Sequence, residues 1–220
     1  FVKIHSDKQR KYLNNITKKF SFKEIQKTLS KFFSIKVMVI GETIIDKYVF
    51  CEALGKSGKE PILALREIKI EEYYGGALAI SNHLSSFCKS IKLLTMIGQK
   101  KEYKRDIIKN KAKNISVDFF YKLNSPTIVK KRFVDSINNN KILGVYEIND
   151  ELINLKQQKS LETQLNKIKE NIDHIIISDY GHGFISEQIA KKIIRKCKSI
   201  SLSAQLNAAN LGMHTINKYK

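Results

Sequence analysis

The sequence predicts an α/β sandwich: a mainly parallel central sheet covered by helices on both faces, carrying a small β-sheet lid. Two observations predict the sandwich. Short, nearly uninterrupted apolar runs recur along the chain: IKVMVIG (35–41), IKLLTMIG (91–98), SVDFFY (116–121), HIIIS (174–178) and ISLSA (200–204). Strands buried on both faces read in this way. Helical segments separate them, among them SNHLSSFCK, EYKRDIIKNKAK (102–113), LKQQKSLETQLNKIKENI (155–172) and SEQIAKKIIRKCK (186–198). Strand alternating with helix implies parallel pairing through right-handed crossovers. A third observation predicts the lid. Residues 61–74 (PILALREIKIEEYY) and 126–148 (PTIVKKRFVDSINNNKILGVYEI) alternate with period two, as half-exposed antiparallel strands do, and Asn138-Asn139-Asn140 suits a hairpin tip. The lid segments are expected at about 47–74 and 126–148.

Ahead of the first strand, residues 1–34 are lysine-rich and read as helical. Ser21-Phe22-Lys23-Glu24 is a capping box, opening a helix with Phe22, Ile25, Leu29, Phe32 and Phe33 on one face. This segment reads as a linker or outer helical appendage, and 35–220 as the main domain.

Composition narrows the function classes. With 220 residues, 42% of them hydrophobic, the chain can bury a sizeable core. No apolar run reaches membrane-spanning length and the amino terminus is too polar for a secretory signal, so no membrane partner is expected. Three widely spaced cysteines, Cys51, Cys88 and Cys197, form no metal-ligand or disulfide pattern and suit a reducing cytoplasm. The formal charge of +19 invites a nucleic-acid reading, but lysines spread along the whole chain supply nearly all of it. Nucleic-acid sites gather arginine with exposed aromatics, so that partner is ranked last. Attraction to anionic small molecules stays open.

In an open parallel sheet, ligands bind outside the carboxyl ends of the strands. Asp46 lies just past the end of the first strand, where a carboxylate can accept from two vicinal sugar hydroxyls or simply sit in a solvated turn. Gly75-Gly76 marks the return from lid to main sheet. It lets a ligand approach the backbone, or merely turns the chain. Asp179 ends the strand HIIIS and opens a glycine-loosened loop in which His182 reads as a loop residue without an obvious partner. Gln205, Asn207 and Asn210 follow the last strand and offer amides to hydroxyls or phosphate oxygens. In the lid, Lys130 and Arg132 share a face, where they clamp a phosphate or blunt a sheet edge.

In this order, VMVIGETIIDKY, YYGGALAISNHL, LLTMIG, TIVKKRFV, IIISDYGHGF and LSAQLNAANLG, the sequence resembles the ribokinase-like (PfkB-type) carbohydrate kinases. It is most similar to the branch of D-glycero-β-D-manno-heptose-7-phosphate kinases, which serve ADP-heptose synthesis. The resemblance runs from about Ile35 to the end of the chain. It implies transfer of the ATP γ-phosphate to a sugar hydroxyl with Mg2+. It assigns the sugar or sugar phosphate to Asp46, Gly75, Gly76, Lys130, Arg132, Asp179, Gln205, Asn207 and Asn210, and implies a possible homodimer through the lid. The chain departs from the family at Ala79 and Ile80, where an asparagine is common, with Asn82 displaced. It also lacks the Gly-Ala-Gly-Asp motif, so the catalytic base and most of the nucleotide site are expected beyond Lys220. The expected entity is therefore the substrate-binding part of a kinase, without phosphoryl transfer on its own, in relatives sometimes fused to a nucleotidyltransferase. The alternative is a non-catalytic sugar-binding or regulatory relative.

Overall fold

The computed structural model of the chain describes residues 5–168, 171–205 and 216–219. Two sheets share one strand. β1 runs without a break over Lys36–Lys56. Its first half lies at the centre of a five-stranded parallel sheet with β3 (Ser90–Gly98) and β7 (His174–Asp179) as neighbours. Beyond them lie β4 (Ile115–Lys122) and β8 (Ile200–Ala204) at the edges. Its second half lies inside the lid sheet, antiparallel to β2 (Leu63–Gly76) and parallel to β5 (Ile128–Asp135), which pairs in turn with β6 (Lys141–Glu147).

The side chains of β1 explain the layering. Successive residues of a strand point to opposite faces. Val37 and Val39 join one buried cluster, with Ala77 and Leu78 of α3 (Ala77–Leu84) and Ile107 of α4 (Lys104–Asn110). Met38 and Ile40 join the other, with Leu161 and Leu165 of α5 (Leu155–Lys167) and Ile189, Ala190 and Ile193 of α6 (Glu187–Lys196). Helix starts follow the local chemistry. The Asn154 side chain accepts from the Gln157 amide and Ser186 from the Ile189 amide, each satisfying a donor the helix leaves unpaired.

Ahead of this domain, α1 (Asp7–Lys19) and α2 (Phe22–Phe32) contribute no buried residue. Both open on the predicted kind of capping box, the second through Ser21 and Glu24 as expected.

Some elements differ from the sequence reading. The helix after the glycine pair starts at Ala77 and ends at Leu84, so Cys88 lies beyond it and is buried without being helical. The helix expected over 102–113 is confined to Lys104–Asn110, and Asn114 turns its side-chain amide back onto the Ser85 and Cys88 carbonyls. Asn82 is committed to packing: it donates to the Asn110 carbonyl and accepts from the Ala112 amide. It therefore ties α3 to the end of α4.

Candidate active site at the seam of the two sheets

Asp46 does not lie past a strand end, as its neighbourhood suggested; it is inside β1, in the first rows of the lid. Inter-strand register then sets its surroundings, because residues directly opposite share a face. Tyr73, Asp46, Lys130 and Tyr146 form one row across four strands. The next row on that face is Glu71, Tyr48, Arg132 and Gly144. One face of the lid thus presents two cations, two carboxylates and three tyrosines.

Within it, Arg132 Nη1 donates to Asp46 Oδ1 at 2.5 Å, and the guanidinium lies 5.5 Å from the Tyr48 ring centre and 5.7 Å from that of Tyr146. Arginine so held is a positioned cation. The Lys130 ammonium, by contrast, has no ion pair or hydrogen bond among the described residues, and burial lowers its pKa despite the nearby Asp46.

The second oxygen of Asp46 faces Gly75. A Cβ at Gly75 would come within 2.7 Å of Asp46 Oδ2, so the carboxylate rests against bare backbone. Gly76 caps α3 with φ +61°, in the left-handed region, and a Cβ there would meet the Glu42 carbonyl oxygen at 2.2 Å. The glycine pair therefore serves two purposes: the first makes room for the carboxylate, the second lets β2 close against β1 and turn into a helix.

Below the lid lies a cluster that sequence reasoning missed. Glu42, fully buried, accepts from the Tyr180 amide (3.1 Å) and the His182 amide (3.3 Å), tying the first half of β1 to the loop after β7. Burial pushes its carboxyl up to about 7, and neighbouring Asp179 adds to the rise. His182, read as a loop residue without a partner, is also fully buried and its Nδ1 lies 2.6 Å from Asp150 Oδ1. Burial holds the imidazole below its usual pKa, so it stays neutral with Nδ1 as donor to the carboxylate. That leaves Nε2 an acceptor with no partner among the described residues. Lys122, also buried, donates to the carbonyls of Asn149 (2.6 Å), Glu151 (2.6 Å) and His182 (3.0 Å). No single-residue signal marks Glu42 or Lys122; only the packing of β1 and β4 against two loops does.

Asp179 has partners of its own. Oδ1 accepts from the Gly181 amide, and Oδ2 receives the Lys218 ammonium (2.6 Å) and the Tyr219 hydroxyl (2.8 Å). Its carboxylate is 1% exposed and faces this segment. Gln205 follows β8 and is exposed, its amide donating to the Asp179 carbonyl. Asn207 and Asn210 lie outside the described residues. Of the expected residues, then, Asp46, Gly75, Gly76, Lys130 and Arg132 come together at the seam, with Asp179 below on the β7 side.

Glu42 gives a pH test. Its folded-state pKa lies above the ordinary value of 4.5, so between there and about 7 the folded chain holds a proton that the unfolded chain has lost. Stability therefore falls as pH rises through that window, by on the order of 3 kcal/mol. His182, with its pKa lowered, acts in the opposite direction. Urea melts at several pH values should show that Glu42→Gln removes a falling contribution; identical pH slopes for the two proteins would contradict this.

No family model matches the chain. Among solved structures, it superposes on a possible 1-phosphofructokinase from Thermotoga maritima with TM-score 0.59 and 14% identity, over 84% of this chain and 56% of that one. For phosphofructokinase-2 from Escherichia coli in complex with fructose-6-phosphate, the values are 0.55 and 13%, over 80% and 55%. The fold, a parallel sandwich whose central strand continues into a lid, is that of the ribokinase-like sugar kinases. In sequence the chain is a relative of the bifunctional proteins HldE. It is 30% identical to that of Helicobacter pylori (strain HPAG1) over 161 residues, 72% of this chain. To that of a Nitratiruptor species it is 27% identical over 162 residues, and to that of Campylobacter jejuni (strain RM1221) 22% over 167. The match spans about one third of those relatives' length, 34% in each case.

Proposed function

We propose that this chain is the substrate-binding part of an ATP-dependent kinase that phosphorylates a sugar phosphate, heptose-like in shape, in sugar-nucleotide synthesis. The observation that carries this reading is the row Tyr73–Asp46–Lys130–Tyr146. It places a carboxylate that can accept from two vicinal hydroxyls one strand away from a cation without a partner. Arg132 fixes one oxygen of Asp46 and leaves the other, beside Gly75, to a ligand. Tyrosine rings at both ends of the row offer flat apolar faces for a sugar ring. The resemblance to heptose-7-phosphate kinases favours a heptose phosphate, and the neighbour solved with fructose-6-phosphate favours phosphorylated sugars as a class.

ATP supplies the phosphoryl group in this reading and Mg2+ accompanies it on the phosphates. Among the described residues no group of three His, Cys, Asp or Glu side chains could hold a metal ion. They do not fit a dedicated metal cage, and the role proposed for them is confined to the sugar: binding, orientation and exclusion of water. On the other face of the lid, Ile70, Val49, Phe133 and Leu143 form an apolar row with Ile70 and Leu143 exposed, which supports pairing of two lids in a homodimer.

Calorimetric titration with D-glycero-D-manno-heptose 7-phosphate, fructose 6-phosphate and an unphosphorylated heptose tests the reading. The heptose phosphate should bind best. Lys130→Ala should weaken the phosphorylated ligands by about tenfold or more and leave the free sugar unaffected. Asp46→Asn should weaken all three. Equal binding of phosphorylated and free heptose would refute the sugar-phosphate assignment, and binding of none would refute the kinase reading itself.

A further inference from the structure

The two helices ahead of the domain have a face that nothing in the domain covers. In α2, Phe22, Ile25, Leu29 and Phe32 fall on one side at helical spacing, and all are exposed, between 41% and 73%. Lys23, Lys27 and Lys31 fall on the opposite side. The one acid of this helix, Glu24, is turned back into the capping box with Ser21, so α2 carries three lysines to one carboxylate. α1 repeats the pattern more weakly: Tyr12, Leu13 and Ile16 share a side, and five cations, Lys8, Arg10, Lys11, Lys18 and Lys19, sit in the same helix.

We propose that, against the expectation of no membrane partner, α1 and α2 lie on an anionic lipid surface, with the phenylalanine-lined face in the headgroup–acyl boundary and the lysines in the headgroup layer. A helix with a sharply segregated apolar face, a lysine-rich polar face and low overall hydrophobicity takes this position. No helix among the described residues is long and apolar enough to cross a membrane, so the contact is peripheral. Charge decides between possible occupants. A second copy would bring an equally cationic helix pair against this one within a protein of formal charge +19. A nucleic-acid backbone would satisfy the lysines but leave four large apolar side chains in water. An anionic bilayer accommodates both faces at once. The proposal is independent of the sugar assignment, since the helices share no buried residue with the seam.

Cosedimentation of the 220-residue chain with vesicles tests it, comparing pure phosphatidylcholine with phosphatidylcholine carrying about a quarter phosphatidylglycerol. The chain should pellet with the anionic vesicles, stay in solution with the neutral ones, and be released by raised salt. Replacing Ile25 and Leu29 together by glutamate should abolish pelleting. Lys23→Gln, Lys27→Gln and Lys31→Gln combined should weaken it on the order of a hundredfold, from about fivefold per lysine. Circular dichroism and thermal melts should show each variant as well folded as the parent, because neither helix contributes to the core. Absence of pelleting with anionic vesicles would overturn the proposal, as would equal pelleting by the Ile25/Leu29 variant. So would a concentration-dependent dimer in light scattering that the same variant abolishes, since a second copy would then cover the face.

Discussion

Gly76→Ala should cost roughly 3–5 kcal/mol of stability, enough to unfold a marginal domain. Two effects add. The backbone sits at φ +61°, where an L side chain is strained, and the new methyl would stand 2.2 Å from the Glu42 carbonyl and 3.1 Å from the Ile44 amide nitrogen. Both neighbours are backbone of the strand that joins the two sheets, so relief requires β2 to move away from β1 where lid and core meet. The neighbouring Gly75→Ala should behave differently. Its methyl would crowd the end of the Asp46 side chain, at 2.7 Å, which can rotate away, and would touch the Ile44 carbonyl at an ordinary 3.4 Å. Sugar affinity should therefore fall with little loss of stability. Gly58, with no atom within 4 Å of an added Cβ, is the control, and its alanine variant should stay within about 0.5 kcal/mol of the parent. Urea unfolding of the three variants separates these effects; a Gly76→Ala protein as stable as the Gly58→Ala one would show that the close approach of β2 to β1 is wrong.

Lys122→Met should be the second severe change, at roughly 3–5 kcal/mol. The methionine would fill most of the space but donate nothing, and the carbonyls of Asn149, Glu151 and His182 would lose their shared ammonium inside the protein. The loop carrying Asp150 would be freed, and with it the carboxylate that orients His182. Burial already lowers the Lys122 pKa, partly offset by Asp150 and Glu42. Raising the pH toward the unfolded-state lysine pKa should thus relieve the parent of a penalty that the variant lacks. Chemical denaturation at neutral pH, with hydrogen exchange of the 149–151 and 182–183 amides, measures both consequences. Unchanged exchange in these loops would refute the clamp.

Those two residues also mark the limits of sequence reading. Gly76 was visible: a glycine pair where a period-two pattern gives way to a helix asks for a reason, and the reason lies within a few residues of chain. Lys122 was not. One lysine among many carries no local mark, and its three acceptors come from segments 27 to 60 residues away. The same holds for Glu42, next to the well-read Gly41, whose partners are amides 138 and 140 residues distant. His182 was singled out but misjudged because its partner, Asp150, lies in a loop that nothing in the sequence marks.

By itself the sequence determined the layers and the lid. Apolar periodicity is a local property, set by which side chains can leave water on one face or two, and it survives without any knowledge of neighbours. It also placed Asp179 at the end of a strand. The tertiary structure alone decided that the first strand does not stop at Gly41 but continues as the shared strand of both sheets. Register with β5 then brought Lys130 opposite Asp46, and Arg132 onto its carboxylate. That decision rests on pairing between segments more than 80 residues apart in sequence. A strand's pattern says which face is buried, but only its partner's register says what stands opposite.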